Sequence, residues 1–176
     1  ILLRTDGHRL MIAAKNLEIA SSQLIGAKII NDGAITIPAR LITEFVTSLP
    51  KSTVTLKVDG NKLHITADGY NSTINGTVAD DFPELPTIND KTAVSYAINT
   101  TTLKQAIGQT ILTASNDTTR PVLTGVYWHS HDGSLYLAAT DGYRLSEKRL
   151  VGKKSDVAAI IPTSTLQEVL RTLNDD

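Results

Sequence analysis

The sequence predicts an α+β protein made of two repeated units, each with antiparallel sheet and helices packed on one face of it. Three observations carry this. Leu135 to Leu145, LYLAATDGYRL, is an alternating strand, a turn at Asp141-Gly142 and a second strand; Leu10 to Ala20, LMIAAKNLEIA, repeats its apolar positions with Asn16-Leu17 at the turn. Each copy continues through a polar stretch to a strand ending in Ile-Pro (Ile37-Pro38, Ile161-Pro162) and then a helix. In those helices Glu44 and Glu168 stand six residues after the proline, among Leu41, Ile42, Phe45, Val46 and Leu49 in one copy and Leu166, Val169, Leu170 and Leu173 in the other. The spacing of about 124 residues, from Pro38 to Pro162, is that of a domain repeat and not of a solenoid.

Taken in order, residues 1–5 and 9–14 form two strands joined at Asp6-Gly7, a hairpin signal. A third strand runs from Leu17 to Ile25, and Gly33 to Pro38 is a fourth after the Asn31-Asp32-Gly33 turn. Pro38 lacks an N–H donor, which the first turn of a helix does not need, and the helix it opens runs to about Leu49, where Pro50 stops it. Three more strands follow, Thr53 to Val58, Leu63 to Ala67 and Ser72 to Val78. Their connections, Asp59-Gly60-Asn61 and Asp68-Gly69-Tyr70, are short enough to make neighbours antiparallel. Asp80 to Asn89, DDFPELPTIN, has no periodicity and reads as a domain linker, with Asp80, Asp81 and Glu84 solvated and Phe82 and Leu85 pinned against the neighbouring domain.

The second unit opens with a strand, Ala93 to Ile98. A helix follows, capped by Thr100 or Thr101, with Leu103, Ala106, Ile107, Thr110, Ile111 and Ala114 on one face. Gly108 inside it costs about 1 kcal/mol against alanine, for which close packing is the natural reason. After the loop Ser115 to Pro121 come strands Leu123 to His129, Leu135 to Ala139, Tyr143 to Arg149 and Val157 to Ile161, then the last helix, where Thr165 and Glu168 have capping-box spacing. The division is residues 1–88, a unit without an opening strand and helix, and 89–176, a unit without three closing strands.

The chemistry of the side chains argues against an enzyme. P-loop, dinucleotide, zincin and nucleophile-elbow motifs are absent. With no cysteine there are no disulfides, thiolate metal sites or cysteine nucleophiles. Among four histidines, only His129 and His131 have a metal-ligand spacing, on one face of a strand, and no third ligand stands nearby. Asn-x-Ser/Thr at Asn71, Asn75 and Asn116 reads as chance, and Asp141 with Arg144 as a turn aspartate with an arginine tied to a strand edge. No run of apolar residues is long enough to span a membrane. A formal charge of −1 gives no global field for nucleic acid, so any such contact is local; Arg120 after the long helix, Lys104 near that helix's start and Arg40 near the start of the first unit's helix are the basic residues placed to meet phosphates.

TDGYRL (Thr140 to Leu145), IIPTSTLQEVLRTL, the linker DDFPELP and GAITIPARLITEFVTSLP together resemble the bacterial DNA polymerase III beta subunit family, the sliding clamps. The likeness covers essentially the whole chain. It implies the DNA-clamp fold, with three domains per subunit and a head-to-tail homodimer closed as a six-domain ring, helices lining the hole. It implies a non-enzymatic processivity factor without cofactor or metal, cytoplasmic and nucleoid-associated. Duplex DNA is encircled without sequence specificity, while replicative polymerase, clamp loader and repair proteins dock short linear motifs in a cleft. By the same resemblance, Leu123, Thr140, Gly142, Tyr143, Arg144 and Leu145 contribute to that cleft and Arg120 lies near DNA. Many relatives have His where Tyr143 stands, and Pro121 and Val122 replace tyrosines that some relatives carry. Two other classes stand beside this reading: an interaction module with no DNA role, and an α+β enzyme with an unrecognised site.

Overall fold

Alternation of apolar and polar residues places each strand, and the turns between them set the pairing. The computed structural model describes residues 1–89, 93–152 and 156–173, and divides into two units, Ile1–Thr87 and Ile88–Asp176. In the first unit, β1 (Leu2–Asp6), β2 (Arg9–Lys15), β3 (Ala20–Gly26) and β4 (Ala34–Thr36) form a sheet of order β3-β2-β1-β4. Helix α1 (Ala39–Ser48) follows Pro38, then β5 (Thr55–Asp59), β6 (Lys62–Ala67) and β7 (Tyr70–Asn75) make a second sheet of order β5-β6-β7. In the second unit α2 (Thr100–Ile111) precedes β8 (Gly125–His131), β9 (Ser134–Thr140), β10 (Leu145–Gly152), β11 (Ala158–Pro162) and α3 (Thr163–Thr172). The strand order β10-β9-β8-β11 is that of the first unit's four-stranded sheet, element for element, and every pairing in both is antiparallel.

The period-two pattern sorts side chains between the faces. In β9, Leu135, Leu137 and Ala139 are buried while Tyr136 and Ala138 are half-buried on the opposite face. Leu137 and Ala139 join Val126, Ala106 and Ile107 of α2 and Leu166 of α3 in the second unit's core. In the first unit Leu3, Ile35 and Ile37 meet Ile42 of α1 and Leu63, Ile65 and Ile74 of the other sheet. A smaller cluster forms where Ala79, Phe82 and Leu85 pack on Leu2 and Ala13, so the two apolar residues of the linker are held by the first unit's own sheet.

Several local expectations are corrected. Ala93 to Ile98 takes no strand conformation, because alternation is only half of a strand and no neighbouring backbone forms a ladder with it among the described residues. The cap of α2 is Asn99, whose Oδ1 accepts from Thr102 N at 3.1 Å, rather than Thr100 or Thr101. Thr165 and Glu168 form no capping box: Pro162 already occupies the cap position, Thr165 lies inside α3, and Glu168 pairs with Arg171. A Cβ on Gly108 would meet nothing within 4 Å, so close packing does not account for this glycine. Leu123 belongs to a 3₁₀ turn, Pro121–Thr124, and the strand starts at Gly125, where a Cβ would stand 2.8 Å from the Ile161 carbonyl oxygen. Likewise Tyr143 and Arg144 are turn residues and β10 begins at Leu145.

Candidate functional site

The turn between β9 and β10 is built by its own polar side chains. Asp141 Oδ1 accepts the backbone N–H of Tyr143 and of Arg144, each at 3.0 Å, and Oδ2 accepts Arg144 Nε at 2.9 Å. Thr140 Oγ1 donates to the Arg144 carbonyl at 2.7 Å and accepts Gly142 N–H at 3.1 Å. Gly142 has φ +94°, a conformation that glycine adopts without steric cost. These bonds stabilise the carboxylate: the N–H groups of Tyr143 and Arg144, then the Arg144 guanidinium, push Asp141 down to about 2. A turn held from beneath in this way sends its other side chains outward. Tyr143 is 97% and Leu145 68% exposed.

The first unit carries the same device. Asn16 Oδ1 accepts from Glu18 N at 2.9 Å and Ile19 N at 2.7 Å, and Leu17 occupies the outward position. The shared polar turn is why the two copies align in sequence at residues that contribute nothing to a core.

A second loop comes alongside. Asp117 Oδ1 accepts from Thr119 Oγ1 and N at 2.6 and 3.0 Å and its Oδ2 from Arg120 Nε at 3.1 Å. The Thr119 hydroxyl, then its N–H, and lastly Arg120 lower the Asp117 pKa. Leu123 closes the loop, donating N–H to the Arg120 carbonyl at 2.9 Å and accepting Ser115 N–H at 2.8 Å. The end of α2 is fixed to the sheet nearby: Thr113 Oγ1 donates to the Ala139 carbonyl at 2.9 Å and lies 2.5 Å from Ser146 Oγ. The two loops meet where a Gly142 Cβ would stand 3.8 Å from an Arg120 guanidinium nitrogen.

Of the residues singled out from the sequence, the structure brings Arg120 to Gly142 within the turn Thr140–Leu145, while Leu123 anchors the loop that carries Arg120. Tyr143 and Leu145 do not share a strand face, since Tyr143 precedes the strand. Lys104 lies on α2 seven residues before its end, about 10 Å along the axis, and does not share the Arg120 loop. Arg40 is on α1 in the other unit, where it pairs with Glu44 at 2.7 Å. Asp141 and Arg144 form a structural ion pair inside the turn. His129 and His131 share the outer face of β8, where His129 stacks between Tyr127 and Tyr136; among the described residues no group of three or more His, Cys, Asp or Glu could hold a metal ion. No helix among them is long and apolar enough to cross a membrane. Sequence reasoning missed Asp117, although the spacing Asp117–Arg120 is that of Asp141–Arg144, and it missed the exposed Val122 beside Leu123.

With this geometry in hand, comparison with known proteins is decisive. The family model for the N-terminal domain of the DNA polymerase III beta subunit matches residues 1–86, and that for its central domain matches residues 97–176. The chain belongs to the DNA polymerase III beta subunit family. The beta sliding clamp of Rickettsia bellii is 31% identical over 177 residues, covering 99% of this chain and 46% of that protein. The beta sliding clamp of Bacillus subtilis is 34% identical over 148 residues, 82% of this chain and 39% of the relative. A crystal structure of the beta subunit from Pseudomonas aeruginosa superposes with a TM-score of 0.89 at 24% identity, covering 99% of this chain and 49% of that one. Another structure of that organism's clamp, bound to griselimycin, gives 0.88 at 25% identity with 99% and 48% coverage. The chain therefore spans about half the length of the relatives it matches, and the fold is that of clamp domains.

Proposed function

We propose that this chain is part of a DNA polymerase processivity factor, a sliding clamp that encircles duplex DNA without reading its sequence. In this reading a complete homodimeric ring tethers the replicative polymerase, clamp loader and repair proteins, each through a short peptide. The observation that carries the proposal is the turn Thr140–Leu145 in a chain of this family: a rigid polar frame that leaves Tyr143 and Leu145 exposed beside Arg120. Binding surfaces of this kind work through a few apolar anchors that ligand burial desolvates. Thr140 and Arg144 serve the frame, Gly142 leaves room for a ligand backbone, and Leu123 supports the adjoining loop. No catalytic role is assigned to any residue. The approach of Arg120 to Gly142 supports placing Arg120 in the wall of the peptide cleft, with Lys104 and Arg40 as the contacts to DNA phosphates.

Fluorescence anisotropy of the complete polypeptide with a labelled Leu- and Phe-rich partner peptide tests this. Leu145→Ala should cost about 1–3 kcal/mol of affinity, the value of a buried leucine, with the ring intact. Gly142→Val should abolish binding. Unchanged affinity in folded Leu145→Ala and Arg120→Ala proteins would remove the site assignment.

A further inference from the structure

The repeat makes one sheet face of the second unit comparable, residue by residue, with its counterpart in the first. In the first unit the face opposite α1 is covered: a strap, Ala79 to Leu85, lays Ala79, Phe82 and Leu85 on Leu2 and Ala13, beside Met11 and Ala34. Lys15 Nζ fastens it by donating to the Glu84 carbonyl at 2.8 Å. Leu2 and Ala13 are consequently 2% and 1% exposed. Register transfers these positions to the second unit. Ala13, Leu2 and Thr36 form one cross-strand row, and Ala138, Tyr127 and Ile160 form its equivalent. The next row is Met11, Arg4 and Ala34 in the first unit and Tyr136, His129 and Ala158 in the second. Here the face is open, with Tyr127 42% and Ile160 44% exposed.

The open face is also shaped. Tyr127 and His129 stack at 4.9 Å and His129 and Tyr136 at 5.5 Å, making a flat aromatic platform. A cleft of about 450 Å³ adjoins it, bounded by Tyr127, His129, His131, Asp156 and Val157. Exposed Arg149 lies in the row of Tyr136, and Glu147 stands 3.5 Å from His129. The strap of the first unit brings Asp80, Asp81 and Glu84 with its Phe-Pro pair, a chemistry suited to aromatic rings flanked by Arg149, His129 and His131. At the repeat's spacing a second strap falls beyond residue 176, and relatives about twice this chain's length have chain to supply it.

We propose that the Tyr127–His129–Tyr136 face is the docking surface for an acidic, Phe-Pro-bearing strap, the second unit's counterpart of Ala79–Leu85. The proposal rests on the repeat and the strand register, and stands apart from the partner-peptide cleft.

The test titrates the isotope-labelled 176-residue protein with a synthetic peptide of residues 77–87, TVADDFPELPT, followed by amide chemical shifts. Millimolar peptide should shift Tyr127, His129, Tyr136, Ala158 and Ile160. The peptide with Phe82→Ala should bind at least about tenfold more weakly, and Tyr127→Ser in the protein should weaken the parent peptide similarly while leaving the thermal midpoint unchanged. The proposal is overturned by an absence of shifts at that face, by shifts centred on Leu2 and Met11 instead, or by equal binding of the Phe82→Ala peptide. Concentration-dependent self-association that Tyr127→Ser removes would also overturn it, making a second copy the occupant.

Discussion

Gly125→Ala isolates the packing that supports the candidate site. Gly125 opens β8 directly after the 3₁₀ turn holding Leu123, and an added Cβ would stand 2.5 Å from Ile160 Cγ2 and 2.8 Å from the Ile161 carbonyl oxygen. The methyl of Ile160 can rotate away. The carbonyl cannot, because Ile161 and Pro162 are in ladder register with Val126 and Gly125. Overpacking of this kind costs about 1–3 kcal/mol, against which the lost unfolded-chain entropy of glycine returns about 0.4–1 kcal/mol. The net expectation is a loss of about 1–2 kcal/mol. Gly108→Ala supplies the opposite sign: its Cβ meets nothing within 4 Å, so the helix should gain about 1 kcal/mol. Urea unfolding followed by Trp128 fluorescence measures both, since this single tryptophan sits in β8. A Gly125→Ala protein as stable as the parent would refute the close approach of β11, and with it the placement of the loop carrying Arg120.

Other predictions follow from the same coordinates. Leu137→Ala, which removes a side chain with no exposed surface, should cost about 2–5 kcal/mol in the same titration. Gly76→Ala should destabilise the first unit, because its Cβ would collide with the Thr36 carbonyl oxygen and force apart the Thr36–Thr77 bridge; amide exchange at Thr36 and Thr77 reads this. Asp141 has a depressed folded pKa, so its contribution to stability is present above 3.8 and lost as pH falls toward about 2. The stability gap between the parent and Asp141→Asn should therefore close over that interval, and a gap independent of pH would contradict the turn geometry.

Much of the fold was legible because it depends on alternation and on turns written with Asp, Asn and Gly. The doubled pattern around Asn16 and Asp141 predicted two sheets of the same strand order, and Leu135, Leu137 and Ala139 fall on the buried face as alternation requires. What failed were features set by a partner distant in sequence. Ala93 to Ile98 alternates as a strand should, but alternation cannot supply a neighbouring edge. Three adjacent residues could cap α2, and Asn99 takes the position because its carboxamide oxygen reaches Thr102 N. Gly108 and Gly125 look alike in sequence, although one points into open space and the other abuts a carbonyl. At the site, the turn Thr140–Leu145 could be read from its residues. The approach of Arg120 to Gly142, and so its separation from Lys104, depends on how two loops of the second unit meet.

The most direct test of the clamp account is topological. The complete polypeptide should be loaded on nicked circular duplex DNA by its loader, and the retained fraction measured before and after the circle is cut. The account predicts retention on the circle even in high salt, where phosphate contacts weaken as the drive from counterion release is lost, and rapid loss once the DNA is linear. Equal retention on circular and linear DNA, or release from the intact circle by salt alone, would contradict it.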